Sequence, residues 1–95
     1  MLSAADALQL GLLNRVVPAA ELMPAALEMA TRIARGPRVA YRYMKENINR
    51  AASGADVDDC LDLEATHHVH TGFTEDHREA AKAFVEKREP MFKGR

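Results

Sequence analysis

Ninety-five residues carrying 13 basic and 14 acidic side chains, for a net charge of −1, exclude a nucleic-acid platform, which needs a basic excess gathered on one face. The length suits one small domain that buries only about 60 to 68 % of its unfolded surface, so stability rests on a modest core. A single cysteine, Cys60, excludes an internal disulfide, and no apolar run reaches the roughly 18 residues of a membrane span, so a reduced, cytoplasmic setting is expected with no membrane partner.

Five Met, three Phe, two Tyr and no Trp give small and flexible core side chains, which suit helix packing better than a sandwich of sheets. Ser3-Ala4-Ala5-Asp6 reads as a shortened capping box that opens a helix through Ala7 and Leu10, ended by Gly11. Leu12-Leu13-Asn14-Arg15-Val16-Val17 is rich in branched residues and closed by Pro18, which predicts a short strand. No other segment reads as a strand, so its amides lack a partner within the chain. Its sheet is expected to belong to polypeptide outside these residues.

Pro24 fits the first turn of a second helix, with Ala26, Leu27, Ala30 and Ile33 or Ala34 on one stripe and Gly36 at the end. Pro37 opens a third helix whose inner face is read as Ala40, Met44, Ile48 and Ala51, with Tyr41 or Tyr43 at its border, until Gly54. Asp56 is a candidate N-cap for a fourth, with Val57, Leu61, Ala65, Val69 and Gly72 as its stripe and His68 beside it. Thr74 caps a fifth. Glu75 and Asp76 lie at the positive end of its dipole, Lys87 and Arg88 at the other, and Pro90 is read as its stop. Ala80, Ala83, Phe84 and Lys87 follow the i, i+3, i+4, i+7 rule, so a ring and an ammonium group share a face. The fold class expected is all-α, a small orthogonal bundle of four to five helices with one short N-terminal strand.

Three blocks stand out in order: Ala4-x-Asp6-Ala7-x-x-x-Gly11-Leu12-x-Asn14-Arg15-Val16-Val17-Pro18 with Glu21-Leu22; Ala34-x-Gly36-Pro37 with Lys45-x-x-Ile48-Asn49; and Glu64 with Asp76-x-x-Glu79, Ala83-Phe84-x-Glu86-Lys87-Arg88-x-Pro90-x-Phe92-x-Gly94. Together they resemble the enoyl-CoA hydratase/isomerase, or crotonase, family over essentially the whole chain, and correspond to its C-terminal helical portion. The resemblance implies an acyl-CoA thioester as substrate of the full-length protein, no cofactor, and chemistry in which backbone amides polarise the thioester carbonyl while carboxylates move protons. The segments that would carry those groups are not in these residues, so no catalytic residue is assigned and the chain alone is expected to be inactive. Residues 1–18 would then complete the missing spiral domain, and residues 19–95 would form a helical domain for oligomerisation and for the CoA site.

The resemblance further implies that Phe84 lies against the CoA moiety and that Lys87 meets its phosphates, a flat apolar surface and a point charge side by side. The bland alternative is Phe84 as core and Lys87 as solvated surface. His68 departs from the pattern, where an aromatic or apolar residue lines the CoA pocket in some members. Self-association as a dimer or trimer is expected, through exchange of the 12–17 strand or the terminal helix between chains. A different class of function remains beside this one: a self-standing helical interaction module that keeps the packing surface without the ligand.

Other constellations fare less well. His67 and His70 share a helix face at i, i+3, but zinc needs further converging ligands, so no metal is assigned and a polar helix end is preferred. Cys60 as a nucleophile is opposed by Asp56, Asp58, Asp59 and Asp62 around it, and core packing is preferred. Glu64 lacks an evident partner for acid/base work. Arg35, Arg38 and Arg42 form a basic patch that reads as a solvated helix face in preference to a phosphate site.

Overall fold

The structure, a computed structural model, describes residues 1–95, and every regular element in it is helical. Helix α1 spans Ala4–Gln9, a 3₁₀ turn Ala19–Glu21, α2 Leu22–Ala34, α3 Arg38–Ala52, α4 Val57–Gly72 and α5 Glu75–Glu86. The all-α expectation holds. The chain divides into two units, Met1–Ile33 and Ala34–Arg95.

In the first unit the capping box forms as expected. The Asp6 amide donates to Ser3 Oγ at 3.1 Å and the Ser3 amide returns a bond to Asp6 Oδ2 at 3.2 Å. The Ser3 side-chain hydroxyl, and after it the Ser3 amide, hold the Asp6 carboxyl below the usual carboxylate range. At the other end of α1, Gly11 takes φ 73°, and the Leu12 amide reaches back to the Ala7 carbonyl at 2.9 Å while the Gly11 amide reaches Leu8 at 3.0 Å. That pair of bonds is a Schellman closure, and a left-handed residue is what it requires.

The strand expected at residues 12–17 is absent: the segment is an irregular connection with no ladder bonds. The branched residues there favour a pleated, half-covered surface, but with no neighbouring strand nothing holds them in one. Leu12 and Leu13 stay in solvent, and Pro18 leads into the 3₁₀ turn with the Glu21 amide donating to its carbonyl at 2.9 Å. Pro24 does fall in the first turn of α2. The α2 stripe is correct in period but not covered, since Leu27 and Ile33 remain exposed and no residue of α1, the 3₁₀ turn or α2 is buried.

The second unit packs α3 on α4 and α4 on α5. Gly36 is buried under the Tyr41 ring, Pro37 is the N-cap of α3, and Gly54 turns the chain at φ 84° towards Asp56, whose carboxylate accepts the Asp59 amide at 2.9 Å. Both faces expected to be internal are rotated outward: Met44 and Ile48 of α3, and Val57, Leu61 and Val69 of α4, are all exposed. The contact is instead made one position over, by Tyr43 and Asn47 of α3 and by Cys60, Leu63, His67 and Thr71 of α4, which are half-buried or buried. A helix can bury only one stripe in a pair, and here the more apolar stripe is the one left uncovered.

What is buried is unusual in kind. Ala83 is the one buried apolar residue, accompanied by His67 and Asp76. Every buried polar side-chain atom has a hydrogen-bond partner. The second unit is therefore held by satisfied polar groups more than by a hydrophobic centre, which makes each of those bonds costly to remove.

Candidate functional site

Helix α5 begins as predicted: Thr74 Oγ1 accepts the His77 amide at 3.0 Å and donates to the Thr71 carbonyl at 2.7 Å, which ties α5 to the end of α4. Its end differs from the expectation. Pro90 is not the stop, because α5 finishes at Glu86 and Lys87 already stands in the left-handed region at φ 53°. The Arg88 amide bonds back to the Ala83 carbonyl at 3.0 Å and the Lys87 amide to Phe84 at 3.3 Å. This is the Schellman closure of α1 repeated with lysine where α1 has glycine.

Residues 88–95 then fold back along α5. Glu79 Oε1 accepts the Met91 amide at 2.8 Å, and Arg88 grips the Glu79 carboxylate with both terminal nitrogens at 2.6 and 3.1 Å. The Arg88 Nε is committed to Glu86 at 2.6 Å. One turn earlier, Asp76 accepts the Lys93 amide at 2.6 Å and the Gly94 amide at 2.8 Å on its two oxygens, and its own amide donates to the Arg95 carbonyl at 3.1 Å. Arg38 of α3 donates to the Lys93 carbonyl at 2.9 Å, and Phe92 is half-buried beside α5. The spacing Asp76-x-x-Glu79 is thus a pair of carboxylates on one helix face, both used to hold tail amides.

Arg88, and then the Met91 amide, hold the Glu79 carboxyl down at about 2 against an ordinary 4.5, and Glu79 and Glu86 push the Arg88 guanidinium further up. A carboxylate whose folded value is depressed stabilises the fold above its unfolded value and loses that contribution as pH falls through the folded one. The tail should therefore release between pH 4.5 and about 2. Protection of the Met91 amide, taken against its intrinsic exchange rate at each pH by NMR, should fall as pH drops through that range, and Glu79→Gln should remove that change while lowering protection already at neutral pH.

The clasp leaves the last turn of α5 free. Phe84 is 84 % exposed, Val85 is 79 % exposed, and Lys87 projects from the turn beside them. The shared face expected for Ala80, Ala83, Phe84 and Lys87 is split: Ala83 is buried and Ala80 half-buried, Phe84 faces solvent, and Lys87 lies beyond the helical register. Within this chain no side chain covers Phe84. Lysine at φ 53° carries a local cost of roughly 1–2 kcal/mol that glycine would not. Lys87→Gly is accordingly expected to raise stability by about 0.5–1 kcal/mol after glycine's greater chain entropy is deducted, as measured by urea unfolding.

His67 is not at a polar helix end but inside the α3–α4 contact, 7 % exposed. Its Nδ1 lies 2.6 Å from Asn47 Oδ1, its Nε2 3.3 Å from Glu46 Oε2, and its ring stacks on Tyr43 at 4.2 Å. Arg42 lies over the other part of this assembly, 4.7 Å from the Tyr43 ring centre. No three His, Cys, Asp or Glu side chains are placed to share a metal ion. Cys60 is half-buried on α4 as expected of a packing residue, and Glu64 lines a shallow cleft of about 160 Å³ with His67 and His68. The basic patch is dispersed, because Arg38 is engaged by the tail and Arg42 by Tyr43 and by Glu46 at 3.7 Å.

Residues 1–95 match the profile of enoyl-CoA hydratase/isomerase along their whole length. The chain belongs to the enoyl-CoA hydratase/isomerase family. It is 39 % identical over 87 residues to the short-chain-enoyl-CoA hydratase of Clostridium acetobutylicum, covering 92 % of this chain and 33 % of that protein. It is 37 % identical over 98 residues to the carnitinyl-CoA dehydratase of Salmonella paratyphi A, covering 99 % of this chain and 37 % of the relative. Among solved structures, an enoyl-CoA hydratase of Geobacillus kaustophilus superposes with a TM-score of 0.91 at 35 % identity, covering 98 % of this chain and 36 % of the other. That of Bacillus anthracis gives 0.88 at 36 % identity, covering 98 % and 36 %. The chain thus spans about a third of the length of the relatives it matches, as the C-terminal helical portion of the crotonase fold. In this chain Asp76, Glu79, Arg88 and Gly94 of the C-terminal string are parts of the clasp. No helix is long and apolar enough to cross a membrane.

Proposed function

We propose that this helical portion of an enoyl-CoA hydratase/isomerase family protein contributes the lip of an acyl-CoA site and a self-association surface, and that the reaction itself is carried by polypeptide outside these residues. The observation that carries the reading is the pairing at the end of α5 of an exposed ring, Phe84, with a lysine held in the left-handed region by the clasp. An aromatic in solvent has no packing role within its own unit, and a backbone kept in a costly conformation where glycine would serve is a feature of functional positions. The substrate of the whole protein is then a coenzyme A thioester of fatty-acid or related metabolism in the cytoplasm, handled without a further cofactor. Residues 19–95 act as the oligomerisation and CoA-site domain, and the exposed apolar residues Met44, Ile48, Val57 and Leu61 of the second unit are the surface for association.

Calorimetric titration with coenzyme A tests the reading. Saturable binding is expected, weakened about tenfold by Lys87→Ala, which is the loss of one charge-assisted phosphate bond. Lys87→Gly should bind as weakly while being more stable, a combination that a purely structural lysine would not produce. Absence of binding from a stable oligomer would favour the interaction module without ligand. Measurable hydration of crotonyl-CoA by the chain alone would overturn the division of labour.

A further inference from the structure

The turn at Lys87 is braced in a way that the matching turn of α1 is not. Both are Schellman closures, but at Gly11 the left-handed residue meets no steric penalty and no side chain spans the turn. At the end of α5 the same backbone is imposed on a lysine, and Arg88, the next residue, ties the two arms of the turn together. Its terminal nitrogens reach Glu79 Oε1 and Oε2 at 2.6 and 3.1 Å, its Nε reaches Glu86 Oε2 at 2.6 Å, and Nη1 also donates to the Glu89 carbonyl at 3.1 Å. Glu79 in turn accepts the Met91 amide at 2.8 Å, so helix and tail are fastened on both sides of Lys87. A guanidinium suits this task because its donors lie in a fixed planar fork, which an ammonium cannot reproduce.

The brace has a second effect. Glu86, next to Lys87 in the chain, is turned to Arg88 and lies 3.9 Å from Lys82 Nζ, while Glu79 is filled by Arg88 and the Met91 amide. The Lys87 side chain joins none of the ion pairs and stands in solvent. Its amide donates to the Phe84 carbonyl at 3.3 Å, so the turn also fixes the backbone of the ammonium relative to that of the ring.

We infer that Glu79 and Arg88 are positioning residues for the phosphates of coenzyme A: they hold Lys87 in the left-handed turn beside Phe84 and keep the nearby carboxylates from neutralising its charge. The inference rests on the CoA reading of Phe84 and Lys87 given above, and Glu79 and Arg88 act only through Lys87. A lysine already ordered and unpaired before the ligand arrives loses less freedom on binding, and that difference appears as affinity.

Coenzyme A titrated calorimetrically into the 95-residue chain is the test, with Arg88→Lys and Glu79→Gln each loosening the fork at nearly constant side-chain size. Each should raise Kd at least about threefold, within the roughly tenfold expected of Lys87→Ala, and Arg88→Lys should add nothing once Lys87 is alanine. A merely structural brace would instead weaken binding equally in both backgrounds. Arg50→Lys, which loosens the Arg50–Asp59 pair at 3.0 Å in the same unit, should leave Kd unchanged. NMR supplies a readout free of ligand. A positive φ brings a residue's amide proton close to its own Hα, so the strong intraresidue NOE of Lys87 should weaken in both fork variants. Parental binding by both fork variants, equal weakening with and without Lys87, or an unchanged Lys87 NOE overturns the inference while the CoA reading stands. Absence of binding by the parent chain is a separate failure, which overturns that reading and this inference with it.

Discussion

Asp76→Ala should lower the unfolding free energy of the second unit by about 2–4 kcal/mol, the largest loss expected from any single side chain in the tail clasp. The residue is 3 % exposed and is the sole acceptor for the Lys93 and Gly94 amides. Removing it leaves two part-buried donors without their acceptor, and each such orphan costs about 1–3 kcal/mol. Lost with them is the path of the tail that carries Phe92 against α5. Asp76→Asn separates charge from geometry: its amide oxygen still accepts one bond, so a loss of roughly half the alanine value is expected. Urea unfolding of the full chain, with tryptic release of the last residues as a second readout, checks both. A change below about 0.5 kcal/mol for Asp76→Ala would mean that the tail does not depend on this carboxylate.

How far these features were legible in the sequence follows from how local they are. Ser3 with Asp6, Asp56, and Thr74 announced three helix starts correctly, because a cap depends only on residues within one turn. Gly11 and Gly54 were legible for the same reason, each needing a positive φ. The end of α5 was not, since its stop is set by Arg88 returning to Glu79 and by a lysine in a conformation that composition does not reveal. The strand at 12–17 was read from branched residues alone, and branched residues make a strand only beside another. The faces of α3 and α4 were misread for a related reason. Apolar periodicity reports which stripe of a helix seeks cover from something, whereas the pair α3–α4 meets through Tyr43, Asn47 and His67, a stripe that scores as polar. Of the candidate site, a CoA role for Phe84 and Lys87 was visible only through family resemblance; their periodicity with Ala83 put them on one face, which the end of α5 at Glu86 splits. The supporting residues Asp76, Glu79 and Arg88 do not read as a clasp in the sequence: Asp76 and Arg88 read as dipole compensation and Asp76-x-x-Glu79 as part of the family string, not as a pair of acceptors for the tail.

That polar stripe makes its own prediction. His67→Ala is expected to destabilise the second unit by about 2–3 kcal/mol, by removing the stack on Tyr43 and leaving the half-buried Asn47 Oδ1 without its ring-nitrogen partner. His67 Nδ1 lies 2.6 Å from Asn47 Oδ1, and Glu46 Oε2 lies 3.3 Å from the opposite nitrogen, so the ring is held at both edges. His67→Leu is the informative variant. It restores volume and apolar contact with Tyr43 but not the bond, so it should recover about half of the alanine loss if packing and hydrogen bonding contribute comparably. A double-mutant cycle with Asn47→Ala isolates the bond, with a coupling of about 1 kcal/mol expected. If His67→Leu equals or exceeds the parent in stability, the histidine is not there to hold α3 on α4, and its burial between Tyr43 and Glu46 would have to be explained by what it presents to the cleft it shares with Glu64 and His68.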